Sequence, residues 1–170
     1  MSAPIYLVTG LMASGKSTVA QALAERFPMS VHLRGDLFRR MIVHGQAHMS
    51  FDLSPEAEAQ LKLRYDLAIE AAKRYADAEF TVVYQDIILG KSLEKVVAEF
   101  AGRDLKVAVL SPDAESVWYR EQNRGKSGYG SRGEVDAFDR VLREETPKIG
   151  TWIDSSKLTV RETVDAILAG

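Results

Sequence analysis

Residues 10–17 read Gly-Leu-Met-Ala-Ser-Gly-Lys-Ser and satisfy the pattern G-x-x-x-x-G-K-[ST] in full. Four positions are constrained, and glycine makes up about 7% of average usage. A chance match in a chain of this length is therefore on the order of one in a hundred. The chemistry such a loop performs is polyphosphate binding. Gly10 and Gly15 let the backbone curl so that successive N–H groups face phosphate oxygens. The N-terminus of the helix that follows adds its positive dipole end. Lys16 reaches the β- and γ-phosphates, and the Ser17 hydroxyl serves Mg²⁺. The expected nucleotide contacts are Gly10, Met12, Ala13, Ser14, Gly15, Lys16, Ser17 and Thr18.

Further residues could complete that chemistry. Asp36 follows the second expected strand, on a turn opened by Gly35. A carboxylate there can accept the proton of an attacking hydroxyl, hold Mg²⁺ through water, or cap a helix. Asp86 closes the third expected strand; it could touch Mg²⁺ or its water shell, bind substrate, or cap the next turn. Arg120 and Arg124 are spaced to share one helix face and lead into Gly-Lys-Ser-Gly-Tyr-Gly-Ser-Arg-Gly, residues 125–133. Cations that close over a transferring phosphoryl group stabilise its charge, and glycines would let such a segment swing as a lid, with Lys126 and Arg132 on it; with Glu121 and Glu134 nearby it could instead be a solvated face. The Gly-Lys-Ser at 125–127 is no second phosphate loop, because Arg120 stands where the first glycine would be. Arg39, Arg40 and Arg64 could meet an anionic acceptor or be surface charge, with Met41, Met49 and Phe51 as apolar walls. His44 and His48, four apart, would share a helix face, but Gly45 interrupts that helix and no third metal ligand is apparent, so they are expected to line or cap an acceptor pocket. Residues 154–157, with Ser156, could cradle an adenine.

The elements that must position these residues alternate in period. Strand patterns cover 5–9, 29–33, 80–86, 105–110 and 149–153. Helical patterns cover 16–27, 36–44, 55–79, 91–101, 113–124, 134–145 and 159–169. Ser54-Pro55 reads as an N-cap with proline at the first helical position, and Thr159 with Glu162 as a capping box. Alternating strands and helices imply an α/β protein whose parallel sheet is covered on both faces. Open sheets of this kind bind ligands at the carboxyl ends of their strands, where the candidates above fall.

At 170 residues with 46% apolar content the chain suits one domain with a substantial core. Its net charge of −2 supplies no global field for nucleic acid or anionic membrane. Without cysteine there are no disulfides, no thiol catalysis and no Cys-based zinc site. No apolar stretch reaches membrane-spanning length and no signal peptide is evident, so a cytoplasmic location is expected.

The phosphate loop, Gly35-Asp36-Leu37-Phe38-Arg39, the lid arginines and the closing run from Trp152 to Val164 together resemble small P-loop kinases. The resemblance is to the chloramphenicol phosphotransferase-like and zeta-toxin-like group, with gluconate and shikimate kinases more distant. It implies a three-layer sandwich around a five-stranded parallel sheet in the order 2-3-1-4-5. It also implies ATP and Mg²⁺ as cofactors and transfer of the γ-phosphate to a substrate hydroxyl. On this likeness Asp36 is the base, Lys16, Arg120 and Arg124 act on the transferring group, and Ser17 and Asp86 serve the metal. Asp36, Arg39, Arg40, Phe51, Asp86 and Arg132 would then border the acceptor, with a covering segment at about 37–60 and a lid at about 120–134 of a single domain, 1–170. Expected partners are ATP and a small hydroxylated acceptor (an antibiotic, a sugar or sugar acid, or a nucleotide sugar), with no nucleic acid and no membrane, in a monomer or homodimer. An ATP-binding switch and a nucleotide or RNA-end kinase are the alternatives. The guanine signature Asn-Lys-x-Asp is absent, which argues against a GTPase.

Overall fold

The structure, a computed structural model, describes residues 2–125 and 128–170. Five parallel strands form one sheet in the order β2-β3-β1-β4-β5. They are β1 (Ile5–Gly10), β2 (Ser30–Arg34), β3 (Thr81–Gln85), β4 (Leu105–Leu110) and β5 (Thr151–Ile153). The helices are α1 (Lys16–Ala24), α2 (Asp36–Arg40), α3 (Pro55–Asp77), α4 (Lys91–Glu99), α5 (Ala114–Asn123), α6 (Arg132–Arg140) and α7 (Val160–Ala169). This is a P-loop kinase fold in the strand order the resemblance implies.

β1 and β3 are buried along their whole length, as central strands covered on both faces must be. The alternation of their side chains divides the core into two layers. Tyr6, Val8 and Val83 pack with Val19, Ala20 and Leu23 of α1 and with Val164 and Ile167 of α7. On the other face Ile5, Leu7, Val82 and Tyr84 pack with Tyr65, Ala68 and Ala72 of α3 and with Leu93 and Val96 of α4. The carboxyl ends of β1 and β3 lie side by side, Val8 in register with Gln85.

The helix ends follow local chemistry. The Ser54 hydroxyl accepts from the Ala57 N–H, with Pro55 at the start of α3. Thr159 and Glu162 form the reciprocal capping box of α7.

Most boundaries shift by one or two residues from the sequence reading, and four of the differences have a local cause or consequence. Helix 16–27 stops at Ala24, where the chain turns before Pro28. The expected helix 36–44 stops at Arg40, so His44 and His48 lie exposed on an irregular segment and share no helix face. That segment is tied instead by Gln60, which donates to the Gly45 carbonyl at 2.7 Å and accepts from the Ala47 N–H at 2.8 Å. β5 begins at Thr151 and not at 149, because Gly150 turns with φ of 74° directly against the Val107 backbone. Helix 134–145 starts earlier, at Arg132, and its last turn, Val141–Glu145, is π-helical.

Candidate functional site

The loop between β1 and α1 is built as its glycines predict. Gly10 takes φ of 147° and Gly15 φ of 89°, both in the positive region that side chains disfavour. A side chain at Gly10 would run into the Leu110 carbonyl of β4. Gly15 caps α1, and Ser14 and Lys16 are buried. The Lys16 ammonium donates to the Leu11 carbonyl at 2.5 Å and to Ser14 Oγ at 3.5 Å. Burial pulls its pKa down to about 7; Asp86 and, more weakly, Asp36 pull it back up, while Arg124 and Arg64 add to the lowering. Ser17 and Thr18 are exposed on the first turn of α1.

The Ser17 hydroxyl donates to Gln85 Oε1 at 3.3 Å. Its neighbour Asp86 is buried and heavily engaged. It accepts from Arg64 Nε at 3.0 Å, from Arg64 Nη2, from the Ile87 N–H at 2.8 Å and from the Tyr84 hydroxyl at 3.3 Å. Burial pushes the Asp86 carboxyl up, against the opposing pull of Arg64, the Ile87 N–H and Lys16. Arg64 reaches it from α3, and Gly35 lies directly over the carboxylate, where any Cβ would collide with it.

Asp36 begins α2 beside this pair. Its Oδ2 meets Arg40 at 2.7 Å and its Oδ1 lies 3.9 Å from Arg34, with no hydrogen bond to Oδ1. The N-cap of α2 is Gly35, so the side chain of Asp36 is not used as a cap. Arg39 donates from Nη2 to the Ala47 carbonyl at 3.0 Å; its buried Nε has no hydrogen-bond partner, and among the described residues no carboxylate pairs with it.

Arg120, on α5, bridges two backbone segments. It donates to the Ser14 carbonyl at 3.2 Å and to the Ser155 carbonyl at 2.9 Å, tying the phosphate loop to the loop after β5. In that loop Ser156 donates to Asp154 Oδ1 and accepts from the Asp113 N–H at 2.8 Å. Arg124 does not share a helix face with Arg120. It lies just past α5 with an extended backbone and folds back onto Glu121 at 2.5 Å. Lys126 lies outside the described residues. Arg132 is on α6, paired with Asp136 at 3.0 Å and well exposed. Phe51, in the expected covering segment, meets Phe138 of α6 edge to face at 5.0 Å.

Three residues in this region were given no site role by the sequence reading. Gln85 is the partner of Ser17, but an amide at a strand end carries no signal of its own. Glu121 is buried, and its carboxylate accepts from the N–H groups of Gly128 and, at 2.9 Å, Tyr129. Burial would raise its pKa, but those N–H groups and Arg124 outweigh burial and hold it below the usual range. Tyr129 is buried, and its hydroxyl donates to the Met12 carbonyl at 3.2 Å. A lone Glu and Tyr beside glycines are too common for spacing to single them out.

Comparison with known proteins gives a consistent picture. A family model described as an AAA domain matches residues 5–146. The chain is 28% identical over 170 residues to an adenylyl-sulfate kinase of Phocaeicola vulgatus, covering 95% of this chain and 78% of that one. It is 30% identical over 109 residues to a cytidylate kinase of Methanothermobacter thermautotrophicus, covering 64% of this chain and 61% of the relative. Its fold matches that of the tunicamycin resistance protein of Deinococcus radiodurans with a TM-score of 0.71 at 20% identity, over 98% of this chain and 94% of the other. No helix among the described residues is long and apolar enough to cross a membrane.

Proposed function

The chain belongs to the AAA domain family and carries a kinase-type phosphate loop; from that premise we propose that it moves the γ-phosphate of ATP, with Mg²⁺, onto a hydroxyl of a small molecule. Residues 10–18 would hold the nucleotide phosphates and the Ser17 hydroxyl would serve Mg²⁺, which when bound would supply charge compensation to the transferring group. Lys16, Arg120 and Arg124 add cationic stabilisation. Residues 1–170 act as one domain, with 37–60 covering the acceptor and 120–134 closing over the phosphates, in the cytoplasm where ATP is available.

The observation that carries this reading is Asp36. Its carboxylate begins α2 just past β2, flanked by Arg34 and Arg40, and among the described residues Oδ1 accepts no hydrogen bond. A carboxylate so placed can take the proton of an attacking hydroxyl. A nucleotide-binding switch would not need a base at this position.

The acceptor itself carries negative charge in this reading. Arg39 supports that class, because a partly buried guanidinium with no carboxylate partner among the described residues is suited to a phosphate, sulfate or carboxylate group. The names of the two sequence relatives, adenylyl-sulfate kinase and cytidylate kinase, also point to anionic nucleotides. Nucleotide sugars and sugar acids therefore rank ahead of neutral sugars. The grouping with chloramphenicol phosphotransferase-like kinases rests on the Gly35-to-Arg39 stretch and the lid arginines.

The test is mass-spectrometric detection of phosphorylated product from pooled acceptors with Mg²⁺·ATP. Asp36→Asn is expected to lower kcat by about 10²–10⁴ while nucleotide affinity stays within a few-fold. Unchanged turnover in that variant removes the mechanism as drawn.

A further inference from the structure

The last residue of β3 and the one after it, Gln85 and Asp86, are adjacent buried polar residues with different partners. Side chains along a strand alternate between faces. Val83 belongs to the core layer with α1, and Tyr84 to the layer with α3. Gln85 thus shares the face of α1, where Ser17 begins the helix, and Asp86 shares the face of α3. The hydrogen bonds agree with this parity. Gln85 Oε1 accepts from Ser17 Oγ at 3.3 Å. Both oxygens of Asp86 are occupied, by Arg64, the Ile87 N–H and the Tyr84 hydroxyl. Releasing Asp86 to a metal would strand the Arg64 guanidinium, whose side chain is only 11% exposed.

We propose that Gln85, and not Asp86, is the β3 residue that serves Mg²⁺ beside the Ser17 hydroxyl, its amide oxygen accepting from the water shell of the ion. This rests on reading residues 10–17 as a Mg²⁺·nucleotide site. Mg²⁺ keeps several of its waters and dehydrates reluctantly, so an acceptor for a coordinated water suits it. The site then uses a neutral amide where P-loop enzymes commonly place a carboxylate, and divalent-ion affinity depends more on the phosphates. Asp86 with Arg64 becomes part of the acceptor side, where it supports Gly35 and hence Asp36.

The test measures Mn²⁺ binding to the complex with a non-hydrolysable ATP analogue, by electron paramagnetic resonance, in the absence of acceptor. Gln85→Ala is expected to weaken Mn²⁺ by about tenfold, the low end for a residue that orients a metal site. Gln85→Glu is expected to tighten it and Asp86→Asn to leave it unchanged, each Mn²⁺ affinity being referred to that variant's own analogue affinity in EDTA. Mn²⁺ affinity indifferent to both Gln85 variants overturns the proposal, as does a loss in Asp86→Asn equal to that in Gln85→Ala. Should Asp86→Asn fail to fold, the two Gln85 variants decide alone. Because no acceptor is used, a protein that phosphorylates nothing yet shows this metal pattern loses only the kinase reading. A protein that makes product with Mn²⁺ affinity insensitive to Gln85 loses only the metal assignment.

Discussion

Lys16 is buried against the carbonyl of its own loop, which draws its pKa from 10.5 down to about 7. A phosphate oxygen would raise it again, so ATP binding above pH 7 must take up a proton. Affinity should then fall with rising pH, by at most about tenfold per pH unit. Calorimetry at pH 8 in two buffers of different ionisation enthalpy reads the uptake directly, and identical heats in both buffers exclude it. For folding the sign is opposite. Unfolded Lys16 binds more protons than folded Lys16 between about 7 and 10.5, so its contribution to stability rises with pH across that window. At Gly35 the constraint is steric, since its φ of −61° suits any residue. The Cβ of Gly35→Ala would strike an Asp86 carboxylate that Arg64 and Tyr84 hold in place. A loss of about 1–3 kcal/mol is expected in denaturant unfolding, in line with overpacking a buried site.

Between α5 and α6 the decisive contact is one side chain holding backbone. Glu121 collects the N–H groups of Gly128 and Tyr129 together with Arg124, and Tyr129 in turn reaches Met12 of the phosphate loop. Glycine-rich backbone has a high entropic cost of ordering, and here a carboxylate offsets it. Glu121→Gln keeps the volume and removes the charge; a loss of about 1–3 kcal/mol of local stability is expected. Hydrogen exchange at Gly128 and Tyr129 should then quicken by roughly ten- to a hundredfold, while β1 stays protected. Equal exchange in both proteins would show that the segment is held by something else. The carboxyl is held below 4.5, so this latch is complete above pH 4.5 and is lost as pH falls beneath it.

At the scale of the whole molecule, ligand binding and folding are linked. An ATP analogue with Mg²⁺ at a hundred times its Kd should add about 2.7 kcal/mol, or roughly 5–10 °C in Tm for a chain of this size. A thermal melt checks this, and the gain should shrink in EDTA. A flat response would leave the phosphate loop without its ligand. The order of elements and the phosphate loop were legible in the chain alone. Their signals are local: glycines at set spacing, apolar periods of 2 and 3.6, and caps such as Ser54 and Thr159. The position of Asp36, just past the carboxyl end of β2, was legible too. What only the tertiary structure decided was which neighbour each candidate meets. Helix 36–44 was cut short and its continuation tied down by Gln60, fifteen residues beyond Gly45. Arg64 reached Asp86 across 22 residues, and Gln85 took the position beside Ser17. Strand parity and helix packing separate adjacent residues onto opposite faces of a sheet and bring distant ones together. Local sequence therefore determined the loop and the elements, while the pairing of charges around them was settled by long-range packing.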